Sequence, residues 1–66
     1  MEQLPELREW NIYRSAYGQT MHAFGTIFND PKCRFVDGID IRTSAIKRID
    51  VDKMLIHTLN TTYKLV

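Results

Sequence analysis

The stretch TMHAFGTIFNDP, residues 20–31, decides the fold class of this 66-residue chain. Its apolar residues occupy both alternating faces, for example Ile27 on one face and Phe28 on the other. A period of two is typical of a β-strand, and Asn-Asp-Pro is turn chemistry. We therefore predict a central strand over residues 20–28, covered on both faces for part of its length, with a bulge or sharp bend at Gly25.

Turn signals divide the rest of the chain into segments that suit strands and leave little room for helices. These turns are Tyr17-Gly18, Asn29-Asp30-Pro31, Asp37-Gly38, Asp50-Val51-Asp52 and Asn60-Thr61. Further strands are predicted at residues 10–14, 39–42, 45–50, 54–59 and 62–66, with a break at 43–45 and an irregular or single helical turn in residues 1–9. Residues 1–66 thus form one all-β domain, a small five- to six-stranded antiparallel barrel, SH3-like, with its strands in meander order.

Composition limits the classes of protein to which the chain can belong. Nine basic and eight acidic residues give a net charge of +1, so no global charge attracts nucleic acid. Cys33 is the only cysteine, which rules out a disulfide within the chain and fits a cytoplasmic location. No run of about 18 apolar residues is present, so we expect no membrane partner. A core this small is usually supplemented by self-association, and we expect a homo-oligomer.

The sequence gives little support for a metal site, a cofactor or catalysis. The potential ligands His22, Cys33 and His57 lie 11 and 24 residues apart, whereas structural zinc ligands come in pairs two to five residues apart. Cys33 lies between the basic residues Lys32 and Arg34, but a chain of this size has little room for a cleft that excludes water. We predict no metal, no cofactor and no enzymatic activity.

Binding residues are predicted from hydrogen-bonding capacity and from aromatic character. The densest polar cluster is Asp40-Ile41-Arg42-Thr43-Ser44, in which an arginine can grip a phosphate or carboxylate and the hydroxyls can donate. Turn chemistry explains the two hydroxyls equally well. The candidate contacts with a protein partner or a small anionic ligand are Arg34, Arg42, Thr43, Ser44, Tyr13 and Tyr17.

Nucleic-acid binding is the alternative function. Residues 32–48 have a net charge of +3 and form the only candidate electropositive face, with Lys47 and Arg48 at its end. Tyr13, Tyr17 or Phe35 would supply stacking surfaces. The carboxylates of Asp37 and Asp40 reduce this positive charge. The sequence does not show whether the basic residues form a single patch.

Three segments carry a resemblance to other proteins: GTIFNDP at 25–31, DGIDIRTS at 37–44 and TLNTTYKL at 58–65. They resemble short uncharacterised β-rich proteins of bacteria, phages and mobile elements. The resemblance implies a phage-type inhibitor of host defence in the host cytoplasm, which either blocks a protein or sequesters a nucleotide signal. It assigns no functional residues. The expected function is therefore a non-catalytic binding protein, with a small-barrel nucleic-acid-binding module as the alternative.

Overall fold

A computed structural model describes residues 3–66, which form one six-stranded sheet. Its strands are β1 (Glu6–Arg14), β2 (Met21–Phe28), β3 (Ile39–Arg42), β4 (Ile46–Asp50), β5 (Leu55–Thr58) and β6 (Thr62–Leu65). The order in the sheet is β3-β2-β1-β6-β5-β4, so two three-stranded meanders meet at β1 and β6. The all-β prediction is confirmed. None of the residues from 3 to 66 belongs to a helix that is long and apolar enough to cross a membrane.

The prediction for the N-terminal segment is wrong from Glu6 onward, because β1 begins there and not at Trp10. Leu7 explains the difference: its side chain is fully buried and its backbone pairs with Ile27 of β2. Burial of this leucine outweighs the turn tendency of Pro5, whose missing N–H costs nothing just before the strand. Residues 1 and 2 of the predicted irregular segment lie outside the described residues.

The antiparallel prediction is only partly right. Four of the strand pairs are antiparallel, but β1 and β6 run parallel, with Glu6 opposite Lys64 and Leu7 opposite Leu65. β3 and β4 form the two edges, and within residues 3–66 no ladder joins them. The structure therefore contains an open mixed sheet, and the closed SH3-like barrel is not confirmed.

A β-bulge in β1 lies opposite Gly25. The register between β1 and β2 shifts between Arg8 and Asn11, which leaves two β1 residues opposite this glycine. One of them, Glu9, has a positive φ of 51°. A Cβ atom on Gly25 would lie 2.8 Å from Leu7 Cγ and 2.9 Å from the Arg8 carbonyl oxygen. The irregularity predicted at Gly25 is thus present, but the neighbouring strand contains the extra residue.

The core lies on one face of the curved sheet. It comprises Leu7, Ala23, Ile27, Ile41, Ile56, Tyr63 and Leu65, with Trp10, Ile12 and Ile46 packed against it. On the opposite face of β2, Phe28 is half-buried beneath the Arg8 guanidinium, 4.2 Å from the ring centroid, whereas Phe24 is 45% exposed. The second face of β2 is therefore partly covered at Phe28 and exposed at Phe24.

Candidate functional site

The loop between β2 and β3, residues 29–38, folds around the carboxylate of Asp30. This side chain is only 1% exposed. Its Oδ1 accepts a hydrogen bond from the Lys32 N–H at 3.2 Å, and its Oδ2 accepts one from the Arg34 N–H at 2.9 Å. The Arg34 Nε also donates to Oδ2, at 3.4 Å. A buried carboxylate thus organises the loop through donors that come within four residues of it.

Hydrogen bonding keeps Asp30 ionised. Burial alone raises the pKa of this carboxyl, but the backbone N–H groups of Lys32 and Arg34 and the Arg34 guanidinium together hold the pKa below its usual value. Asp30 is therefore negatively charged at neutral pH, and its carboxylate holds the Arg34 side chain beside it.

Arg34 bridges this loop to the turn between β5 and β6. Its Nη1 donates to Thr61 Oγ1 at 3.0 Å, while its Nε faces Asp30. Thr61 is itself held by Thr58, whose Oγ1 donates to the Thr61 carbonyl at 2.7 Å and accepts from the Thr61 N–H at 3.1 Å. The guanidinium is thus oriented from two sides, although the Arg34 side chain remains 35% exposed.

An open groove of about 450 Å³ lies beside this arginine. We call it the Arg34 groove; its lining includes Pro5, Lys32, Arg34, Asn60, Thr61 and Thr62. Within residues 3–66, two cations, hydroxyls and two amides surround the space, and the one carboxylate in this lining, Asp30, is already satisfied. Guanidinium, ammonium and hydroxyl groups are the donors that bind phosphates and carboxylates in proteins.

Arg42 and Tyr13 lie on the outer face of the β1–β2–β3 meander, away from the Arg34 groove. Arg42 pairs across strands with Phe24, and Tyr13 pairs with His22. The Tyr13 and His22 rings stack, with their centroids 5.8 Å apart. No carboxylate of residues 3–66 lies within ion-pair distance of Arg42. Phe24, at the centre of this face, was missed because its alternation is equally typical of a buried residue.

The remaining predicted residues occupy separate positions. Thr43 is 3% exposed, and its hydroxyl accepts from the Ala23 N–H at 3.0 Å and donates to the Ser44 carbonyl at 2.9 Å. Ser44 is half-buried next to it, whereas Tyr17 is 89% exposed in the β1–β2 turn. The Thr43 hydroxyl thus forms hydrogen bonds with backbone groups at the end of the β2–β3 ladder, as the turn interpretation expects.

A second groove, of about 370 Å³, lies where β4 approaches the β1–β2 hairpin. We call it the β4 groove; its lining includes Arg14, Met21, Ile46, Lys47, Arg48 and Ile49. The basic residues of the middle segment therefore form no single patch. Lys32 and Arg34 line the first groove, Lys47 and Arg48 line the second, and Arg42 lies on the outer face. Arg14 was missed because it lies far away in sequence.

Within the described part of the chain, no group of three or more His, Cys, Asp and Glu side chains is placed to hold a metal ion. No protein-family model matches the chain, and no curated protein or solved structure is significantly similar to it. The chemistry of its surfaces is therefore what indicates its function.

Proposed function

We propose that this chain is a non-catalytic binding protein that holds a small anionic ligand of the nucleotide class stoichiometrically in the Arg34 groove. The observation that carries the proposal is the position of the Arg34 guanidinium, fixed between Asp30 and Thr61 beside a groove. A pre-oriented arginine loses little conformational entropy on binding, and its fork matches phosphate and carboxylate geometry.

The charges in the groove support an anionic ligand. Among residues 3–66, Lys32 and Arg34 contribute two positive charges against the single negative charge of Asp30, so this part of the lining is net positive. Asp30 already accepts three hydrogen bonds, and its pKa is lowered. A carboxylate in this condition is a poor proton carrier near neutral pH, which supports binding over acid–base catalysis.

The biological role is part of the same proposal. The chain would inhibit a host defence system from the cytoplasm by sequestering a nucleotide signal. This role requires only that the nucleotide is bound, and no catalysis. Blocking a protein is the second candidate, favoured by the outer face on which Phe24, 45% exposed, lies beside Arg42 and near Tyr13. Aromatic residues and arginine are enriched in the hot spots of protein interfaces.

The barrel and the oligomer also remain proposals. Residues 43–45 are the only break between β3 and β4, and the Thr43 N–H donates to the Ala23 carbonyl while Leu59 N–H donates to the Ala45 carbonyl. If β3 and β4 act as two halves of one bent strand, the sheet becomes a closed five-stranded meander. The first and last strands of such a meander run parallel, which agrees with β1 and β6. Self-association would use the exposed edge of β3.

The test is thermal unfolding and calorimetric titration with inorganic phosphate, pyrophosphate, citrate, and mono- and cyclic dinucleotides. A nucleotide at about 100 times its Kd is expected to raise Tm by about 10 °C or more. Asn60→Asp adds a negative charge to the lining without removing a partner of Arg34. We expect it to weaken nucleotide binding about fivefold, since one charge at about 4 Å in water contributes about 1 kcal/mol.

Asn11→Asp is the matched control, because Asn11 is exposed on β1 and does not line the groove. It should leave the affinity unchanged. The proposal is wrong if no anion in the panel raises Tm, or if both aspartate variants weaken binding equally. Binding of phosphate and citrate as tight as that of the nucleotides would reject the nucleotide class while retaining an anion site.

A further inference from the structure

We propose that the β4 groove binds the sugar-phosphate backbone of single-stranded nucleic acid. This site is separate from the Arg34 groove, and the two grooves share no lining residue within residues 3–66. Nucleic-acid binding in the β4 groove therefore does not require a ligand in the Arg34 groove, and each site can be tested without the other.

The charge of the lining is the first observation. Among residues 3–66, the charged residues of its lining are Arg14, Lys47 and Arg48, and no carboxylate of this range lines it. The ion pairs found in residues 3–66 are Arg8–Glu6 and Arg34–Asp30, so none of the three cations is neutralised by a carboxylate within that range. Unpaired cations in a concave site concentrate their field and attract polyanions.

Arg48 is held in place by a histidine. Its Nη2 lies 3.2 Å from His57 Nε2, and His57 Nδ1 lies 3.0 Å from Thr62 Oγ1. Because a guanidinium can only donate, His57 Nε2 accepts the hydrogen bond and Nδ1–H donates to the threonine. These hydrogen bonds restrict the Arg48 side chain without cancelling its charge, and Arg48 is among the residues that line the β4 groove.

The apolar part of the groove distinguishes a nucleic acid from a simple anion. Met21 and Ile49 are 36% and 40% exposed, and both line the same groove as the cations. Inorganic phosphate has nothing to bury on such side chains, whereas bases have apolar faces. A single strand can turn its bases toward a protein, which a duplex cannot do without unpairing them.

Tyr17 offers an exposed aromatic ring in the turn that contributes Gly18 to the groove. It is 89% exposed and directly precedes Gly18, which lines the groove. The turn that presents it is fixed by hydrogen bonds from Ser15 N–H to the Thr20 carbonyl at 2.8 Å and from Gly18 N–H to the Ser15 carbonyl at 2.9 Å. Cations next to an aromatic ring on a firm turn are the arrangement by which small β-domains bind single strands.

The test is fluorescence anisotropy with labelled oligothymidylate and oligouridylate of about ten nucleotides, within the site sizes of small β-domains. We expect micromolar affinity, and a plot of log K against log salt with a slope of about −2, since three phosphate contacts contribute about −0.7 each. Lys47→Gln and Arg14→Gln should each reduce that slope by about 0.7. Tyr17→Ala should weaken binding about fivefold or more with no change in slope.

Lys53→Gln is the matched control for Lys47→Gln, because Lys53 is exposed in the β4–β5 turn outside the groove. It should change neither affinity nor slope. The proposal is overturned if the affinity is independent of salt, if the control weakens binding as much as Lys47→Gln, or if poly-glutamate competes as well as the oligonucleotide at equal charge. Equal binding of a blunt duplex would also overturn it.

Discussion

At the scale of single residues, Asp30 is the group on which the largest electrostatic prediction rests. Its pKa lies below the value near 3.9 of an unfolded aspartate, so its ionised form stabilises the folded chain. That contribution is fully present above pH 5 and is lost as pH falls through the lowered pKa. Asp30→Asn places an amide donor against the donors of the loop, and we expect a loss of about 1–3 kcal/mol at pH 7.

Urea unfolding of the wild type and of Asp30→Asn from pH 7 to pH 2 measures this effect. The difference between their unfolding free energies should shrink below about pH 4, because the wild type then loses the charge that the variant lacks. Asp52→Asn, an exposed residue of the β4–β5 turn, should change little at any pH. A difference for Asp30→Asn that is constant across this range would contradict the role assigned to the charge.

The same residues show how far a sequence can predict a site. The sequence predicts Arg34 as a binding residue from its positive charge, and the residue lines a groove. Its partner Thr61 lies 27 residues away, and no local pattern connects them. Asp30 was interpreted as turn chemistry, which is correct for its backbone but does not reveal that its carboxylate is buried. Local propensity predicts residue types at turns, whereas the pairing of side chains depends on the tertiary fold.

At the scale of elements, the bulge in β1 predicts different changes in stability for two substitutions. Gly25→Ala should destabilise the chain by about 1–3 kcal/mol, because its Cβ would meet Leu7 Cγ at 2.8 Å and a backbone oxygen at 2.9 Å. Glu9→Gly should leave stability unchanged or raise it by up to about 1 kcal/mol, because glycine tolerates the positive φ of 51°.

Chemical denaturation of the two variants compares them directly, with Gln19→Ala in the exposed β1–β2 turn as a neutral reference. Equal destabilisation by Glu9→Gly and Gly25→Ala would mean that the close approach of the strands is not the source of the cost. A loss below about 0.5 kcal/mol for Gly25→Ala, the size of an ordinary surface effect, would lead to the same conclusion.

Hairpins were predictable from the sequence because their signals are local. The acidic turn after residue 50 and the Asn60-Thr61 turn join β4 to β5 and β5 to β6, with strand ends within one or two residues of the predicted ones. The start of β1 and its parallel pairing with β6 were not predictable in this way. They depend on a contact between the two ends of the chain, which bury Leu7 and Leu65 together.

At the scale of the whole molecule, the open sheet leaves two edges, and β3 is the one suited to self-association. Among the strands of residues 3–66 it pairs only with β2, so its other side presents N–H and C=O groups that no strand of this range pairs with. The exposed apolar residues Val36 and Ile39, 71% and 43% accessible, lie before and at its start. A two-fold axis that pairs two copies of β3 in antiparallel fashion would satisfy these groups and extend the sheet across the dimer.

The sequence of β3, Ile-Asp-Ile-Arg, makes such an edge complementary to itself. With the two-fold axis at Ile41, Asp40 lies opposite Arg42 of the partner subunit, and opposite charges across a strand pair stabilise it. We therefore expect light scattering to give about twice the 7.8 kDa of one chain at high concentration. Arg42→Asp should weaken the dimer more than tenfold, since like charges across an interface cost several kcal/mol.

The combined variant Asp40→Arg with Arg42→Asp tests whether the dimer forms through β3 in this register or in some other way. It exchanges the two charges within each copy, so opposite charges again face each other across the axis and the dimer should return. Asp40 also accepts a hydrogen bond from Thr26 at 2.8 Å, so the stability of the monomer is measured alongside. Lys53→Asp, a charge reversal away from the edge, should leave the mass unchanged. A monomer at every concentration, or a charge exchange that fails to restore the dimer while the monomer stays folded, would exclude pairing through β3.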